Sequence, residues 1–165
     1  MTAQSVQIGW SDGDELTAVA DFVSDVIHRD PRYISHGEIQ TGLSPDGATW
    51  ATNLHALMRE DFADLGPERR IAVARDAGGE LAGAAVVLTV NDDRAHYVVI
   101  EDIAVAAESR SHGVGRALVA FIETTARAEG AAWAFLESGL ENAHAHDFFE
   151  RQSYRPLSKV FGKRL

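Results

Sequence analysis

Residues 110–116, Arg-Ser-His-Gly-Val-Gly-Arg, constrain the fold more than any other stretch of the chain. They follow an apolar, strand-like run at 97–105 and open a run of helical spacing at 116–128. A glycine turn that leads a strand into a helix belongs to an α/β chain, and it is well suited to holding phosphate. Gly113 and Gly115 let the backbone approach an anion without interference from a Cβ. The first free N–H groups of the helix then face that anion, and the helix dipole favours its negative charge. The pattern Arg-x-x-Gly-x-Gly is weak by itself and gains its meaning from the elements on either side.

Hydrophobic spacing divides the remainder into alternating elements. Residues 6–10 suit a short first strand. Ser11, Asp12, Gly13 and Asp14 supply side-chain acceptors and negative charge for a helix start. Leu16, Val19, Ala20, Val23, Val26 and Ile27 recur at helical spacing and predict an amphipathic helix over 14–28, which Asp30-Pro31 breaks. Residues 32–47, with Gly37, Gly42, Pro45 and Gly47, read as an irregular loop of the kind that often carries function. Trp50, Leu54, Leu57, Met58 and Phe62 predict a second helix, ended near Gly66-Pro67. The period then becomes that of strands, at 70–75 and 80–90 around a Gly78-Gly79 hairpin turn, and at 96–105 after a turn at 91–93. After the glycine turn a helix runs to Glu129, burying Leu118, Val119, Phe121 and Ile122 and capped by Gly130. A strand at 131–137, a short helix at 142–152 and a last strand at 154–161 complete the order β-α-α-β-β-β-α-β-α-β. No repeat or linker interrupts it, so 1–165 reads as a single domain.

Composition excludes several kinds of function. A net charge of −10 argues against a nucleic-acid or anionic-membrane partner and would suit a cationic substrate. The chain has no cysteine, which removes disulfides, thiolate metal sites and a cysteine nucleophile. His144 and His146 diverge at a spacing of two on a helix and His-Glu-x-x-His is absent, so no metal is expected. Neither a signal-like start nor a transmembrane-length apolar run is visible, so a cytoplasmic location is expected.

The element order and the glycine turn together resemble the GCN5-related N-acetyltransferase (GNAT) superfamily. In that family an apolar residue ends the fourth strand. Arg or Gln follows five positions later, then two residues, Gly, one residue, and Gly or Ala. Val105, Arg110, Gly113 and Gly115 stand at those offsets. A second family block, Asn-x-x-Ala-x-x-Phe-Tyr-Glu-Lys-x-Gly-Phe, is matched by Asn142, Ala145, Phe148, Phe149, Glu150, Arg151, Ser153 and Tyr154. The likeness covers about 70–165, and the first 65 residues match in pattern alone. Two departures stand out: Phe149 replaces the family's tyrosine and Ser153 its glycine. The string at 100–105 is similar to that of glucosamine-phosphate and aminoglycoside acetyltransferases, and the block from Ser138 to Lys163 to small-amine acetyltransferases.

The resemblance implies a GNAT fold, with a mixed, mainly antiparallel twisted sheet flanked by helices, and acetyl-CoA as cofactor. It implies transfer of acetyl to a primary amine of a small-molecule acceptor by direct attack. Backbone N–H groups of Ser111, His112, Gly113, Val114, Gly115 and Arg116 would ring the pyrophosphate, and Arg110 and Arg116 would add charge. A Rossmann site fits worse, because Leu118 occupies its third glycine position. Ile103, Ala104 and Val105 would line the cofactor arm, with the Val105 N–H facing the oxyanion. Asn142 would bond the pantetheine arm, although a helix N-cap explains it as well, and Phe148 and Phe149 would border the cofactor. A homodimer is also implied.

A primary amine of pKa ~10.4 must lose a proton before it attacks. Glu101 is the expected base, with Asp102 as second candidate. Strand alternation places Glu101 with Ile103 and Val105 and Asp102 on the opposite face. A solvated edge charge or a buried ion pair explains such a carboxylate equally. His36 and Glu38, in the irregular segment, would line the amine site or simply be solvated. Phe149 cannot protonate the leaving thiolate, which leaves Tyr154, Ser138 or a water for that task. The step is about 1.5 pK units uphill at neutral pH, or ~2 kcal/mol. Two other activities stay open: acetylation of a protein N-terminus or lysine, and acyl-CoA binding with little turnover.

Overall fold

Alternation along the central strands assigns each face of the sheet to its own set of helices. The computed structural model describes residues 6–165. Its strands are β1 (Gln7–Trp10), β2 (Arg69–Arg75), β3 (Leu81–Asn91), β4 (His96–Val105) and β5 (Trp133–Leu136), arranged in that order. The first four pair antiparallel and β5 joins β4 parallel. Ile71, Val73, Ala84, Val86 and Ala104 point to one side, under α1 (Leu16–Ile27) and α3 (Leu54–Ala63). Ala72, Ala74, Ala85, Val87, Val98 and Ile100 point to the other, under α4 (Val114–Ala128). Small residues on the second face let α4 approach closely. A Cβ on Gly83 would lie 2.9 Å from Leu118 Cδ1 and 3.0 Å from Val114 Cγ1. Phe62 and Met58, at 0% and 1% exposure, anchor α3, and truncating either to Ala costs about 2–5 kcal/mol.

The sheet is mixed and mainly antiparallel and helices flank it, as the family resemblance implies. Two segments differ. Residues 31–40 are not an open loop: a 3₁₀ turn (Pro31–Tyr33) leads into a short helix, α2 (His36–Gln40). Ser35 caps it through Oγ, and the Glu38 carboxylate returns to Ser35 N at 2.6 Å, a capping box. The Ser-x-x-Glu spacing was the available signal, masked by the glycines around it. The second difference is at the end. No strand forms at 154–161; the chain beyond α5 (Ala143–Arg151) has no regular structure, and Arg155 to Leu165 are exposed throughout. This stretch makes no backbone hydrogen bond to the open outer edge of β5, and Pro156 near its start removes one ladder donor. Among the described residues no helix is long and apolar enough to cross a membrane.

Candidate active site

β4 and β5 part company halfway along β4. Their pairing runs from Tyr97 opposite Trp133 to Ile100 opposite Leu136, while β4 stays paired with β3 to Val105. Residues 101–105 therefore present an unpaired edge to a wedge-shaped opening. The Ala106 N–H donates to Ala82 O at 3.0 Å, toward β3. Backbone direction alternates along a strand, so the N–H groups of Ile103 and Val105 point the other way, into the wedge. The segment leaving β5 closes the far side. Gly139 lies against the Arg32 and Ile34 carbonyls, and a Cβ there would come within 2.7 Å of Ile34 O.

The glycine turn stands at the end of this edge. Gly113 has φ +85° and caps α4 from the left-handed region, which glycine adopts without strain. A Cβ on it would meet nothing within 4 Å, so its glycine serves conformation alone. Gly115 has a different reason. A Cβ there would lie 3.3 Å from Phe148 Cζ and 3.6 Å from Val105 Cγ2, so this glycine makes room for the Phe148 ring beside the strand end. Ser111, His112, Arg110 and Arg116 are exposed, and Arg110 Nε donates to Val105 O at 3.3 Å. Val114 and Ala104 are each 1% exposed and sit in the two cores, which leaves their backbone as the part that can face a ligand.

A bulge in β4 rearranges the two carboxylates. Val86 opposes Asp102 and Val87 opposes Ile100, so Glu101 has no partner across the ladder. Alternation across the bulge fails as a guide. Ile100, Ile103 and Val105 all pack on the α4 side, while Glu101 joins Asp102 on the α1–α3 side. There Arg69 Nε donates to Glu101 at 2.7 Å, and its two terminal nitrogens fork onto Asp61 at 3.0 and 2.8 Å. Asp102 stands outside that fork. Withdrawal from water, then the negative charges of Glu38, Glu101 and Asp61, push its pKa up to about 7, against a smaller opposing pull from Arg69.

The rim is formed by α2 and the end of β5. His36 Nδ1 lies 3.3 Å from Glu137 Oε2 across the opening. Glu38 is engaged in capping, yet near enough for its charge to act on Asp102. Asn142, 8% exposed, accepts from Ala145 N at 3.3 Å as the cap of α5. Phe149, 7% exposed, packs edge-on against Phe148 and Tyr154, with centroids 5.1 and 6.0 Å away. Ser153 N bonds Glu150 O and Tyr154 N bonds Phe149 O, a Schellman ending for α5 with Ser153 at φ +69°. That ending seats Tyr154 beside Glu123 and Trp133, at the opposite end of β5 from the wedge. Its buried hydroxyl has no hydrogen-bond partner, and burial raises its pKa. Tyr154 is therefore not placed to protonate a leaving group, whereas Ser138 lies on the segment that leaves β5 for the rim.

Three residues of the site escaped the sequence reading. Arg69 and Asp61 come from β2 and α3, and no local pattern marks their meeting with Glu101. Tyr33, on the 3₁₀ turn, is half-buried; burial raises its phenol pKa, and the nearby Arg110 charge opposes that. Between the end of α1 and the β4–α4 turn lies a cleft of about 480 Å³, bordered by Phe22, Val26, Arg29, Ala106 and Arg110.

The model of the acetyltransferase (GNAT) family matches residues 38–154. A search of curated proteins finds no significant match. The fold is similar to that of a variant of the BH1408 protein from Bacillus halodurans (TM-score 0.74, 16% identity, 96% of this chain and 99% of that one). It is similar to a ribosomal-protein-alanine N-acetyltransferase from Brucella melitensis (TM-score 0.70, 12% identity, 98% and 100% covered). An aminoglycoside N-acetyltransferase, AAC(6')-Iy, solved in complex with CoA, aligns with TM-score 0.69 and 16% identity over 99% and 97% of the two chains. With the splayed strands, the glycine turn and the family match over 38–154 in hand, the chain belongs to the GNAT family of acetyltransferases, whose cofactor is acetyl-CoA.

Proposed function

We propose that the wedge transfers acetyl to the primary amine of a small cationic acceptor, with Asp102 taking the amine's proton. One juxtaposition carries this reading: an unpaired carboxylate at the β4 bulge, beside a strand edge whose N–H groups point into open space. Acetyl-CoA, when bound, supplies the activated thioester. The chain fits it. The free N–H groups at the start of α4 and the exposed guanidiniums of Arg110 and Arg116 suit its phosphates. The Ile103 and Val105 N–H groups suit the amide-bearing arm and an acyl oxygen, as an added strand would be held. Phe148, seated by Gly115, walls that path with apolar surface.

Asp102 is about half ionised near pH 7, so it attracts an ammonium and can accept its proton. Glu101 is a weaker candidate than its position in sequence suggests, because Arg69 holds it. Glu38, Asp61, Glu101 and Asp102 outnumber Arg69, which favours a cation in the opening. Phe149 offers no proton; a thiol of pKa ~8.5 leaves as thiolate at neutral pH for about 2 kcal/mol, which solvent can meet. The Gly139 contact and the His36–Glu137 pair close the mouth on one side, which supports a small acceptor over a peptide.

A thiol-release assay with acetyl-CoA against pooled aminoglycosides, amino sugars, polyamines, aminophosphonates and peptides tests this. Release with a small cationic amine is expected. Calorimetric acetyl-CoA binding with no release from any pool would leave a binding domain in its place. With an acceptor in hand, Asp102→Asn is expected to lose about 10²–10⁴-fold in kcat/KM, and Glu101→Gln far less.

A further inference from the structure

The cleft between the end of α1 and the β4–α4 turn has no part in the transfer chemistry. Its volume of about 480 Å³ is that of a small-ligand pocket. Phe22 and Val26, one turn apart on α1, line it from one side, and Ala106 and Ala107 line it from the other. Phe22 and Val26 are half-buried and rest on the α1–α3 core, so their apolar surface is held in place rather than floating in solvent. An aromatic ring and a branched side chain opposite two alanines make a slot that suits a flat apolar group.

The charges around this slot do not cancel. Asp25 is engaged by His55 Nε2 at 2.8 Å, and Asp30 by the fork of Arg32 at 2.8 Å on each oxygen. Arg29 and Arg110 border the same cleft, are exposed, and have no carboxylate partner among the described residues. Arg110 makes one long bond, from Nε to Val105 O at 3.3 Å, which leaves its terminal nitrogens for a ligand. Glu108 and the carbonyl end of α1 oppose an anion here, with about one and a half negative charges against two guanidiniums. The balance favours an anion of more than one charge, held by two forked donors. Arg110 is also the first residue of the glycine turn, and a single 3₁₀ turn (Ala107–Ser109) links it to the strand end. The slot, the pair of guanidiniums and the turn therefore form one continuous surface.

A ligand that fits this surface carries a flat base, a phosphate beside it and a pyrophosphate beyond. The nucleotide end of acetyl-CoA has those three parts, in adenine, the ribose 3′-phosphate and the pyrophosphate. We propose that the cleft is this chain's site for that end, with adenine against Phe22 and Val26 and the 3′-phosphate on Arg29 and Arg110, so that Arg29 selects CoA over its dephosphorylated form. The proposal rests on the reading of residues 110–116 as the pyrophosphate cradle.

Calorimetry of the full chain with CoA, 3′-dephospho-CoA and 4′-phosphopantetheine tests it. CoA is expected to bind about tenfold more tightly than 3′-dephospho-CoA. Arg29→Ala should bring CoA down to the affinity of 3′-dephospho-CoA and leave that of 3′-dephospho-CoA unchanged, and Arg29→Lys should keep part of the difference. Phe22→Leu should weaken both nucleotides and leave 4′-phosphopantetheine as it was. Equal binding of CoA and 3′-dephospho-CoA, a preference that survives Arg29→Ala, or a Phe22→Leu loss shared by 4′-phosphopantetheine would each overturn the cleft site while the cradle stands. A chain that binds none of the three would overturn the cradle with it.

Discussion

Arg69 reaches two carboxylates at once, Asp61 through its fork and Glu101 through Nε, and leaves Asp102 as the one that titrates near neutrality. A base must be ionised to work, so kcat/KM is expected to rise with pH through about 7. Arg69→Met removes the positive charge that restrains Asp102, and the midpoint of that profile should move higher. Stability runs the other way. The pKa of Asp102 is above its ordinary 3.8 in the folded protein, so the native state holds the proton more tightly than the unfolded chain does. Its contribution is therefore full below the unfolded value and is lost as pH rises toward about 7. Asp102→Asn should gain melting temperature over the wild type as pH is raised from about 5 to 8, read by differential scanning fluorimetry, while it loses turnover. The sequence marks both carboxylates as candidates. It does not show the bulge that turns them to one face, nor Arg69, 32 residues before Glu101, which separates their chemistry.

At the scale of elements, a few backbone positions hold the site in shape. Gly113→Ala puts a Cβ in the left-handed region at a cost of about 1–2 kcal/mol and should weaken CoA binding in calorimetry, with no steric clash to blame. Gly139→Ala drives a Cβ into the Arg32 and Ile34 carbonyls. It should destabilise by on the order of 3 kcal/mol in urea and lower amine turnover more than CoA affinity, since the turn at 110–116 lies elsewhere. Ser153 points the other way. It stands where the family has glycine and sits at φ +69°, so Ser153→Gly should stabilise by about 0.5–1 kcal/mol in the same titration. That departure was legible in the motif. The capping box at 35–38 was legible too, but the glycines around it read as loop. The strand expected at 154–161 has the right side chains but does not pair with the open outer edge of β5.

For the whole molecule, a net charge of −10 disfavours a polyanionic cofactor at long range, so in the proposed site the local positive field of Arg110, Arg116 and the α4 start would have to overcome it. Acetyl-CoA at a hundred times its Kd should stabilise the fold by about 2.7 kcal/mol, a rise in Tm of roughly 5–10 °C. Paired Arg110→Ala and Arg116→Ala should abolish most of that rise, and added salt should shrink it in the wild type. The amino-acid sequence alone determined the element order up to α5 apart from α2, the glycine turn between β4 and α4, and the absence of cysteine chemistry. These follow from local periodicity and from what single residue types permit. The tertiary structure decided the rest: where β4 and β5 separate, which carboxylate Arg69 claims, why Gly115 must be small, and that the tail stands free. Each depends on residues far apart in sequence meeting in space, and local pattern carries no record of such meetings.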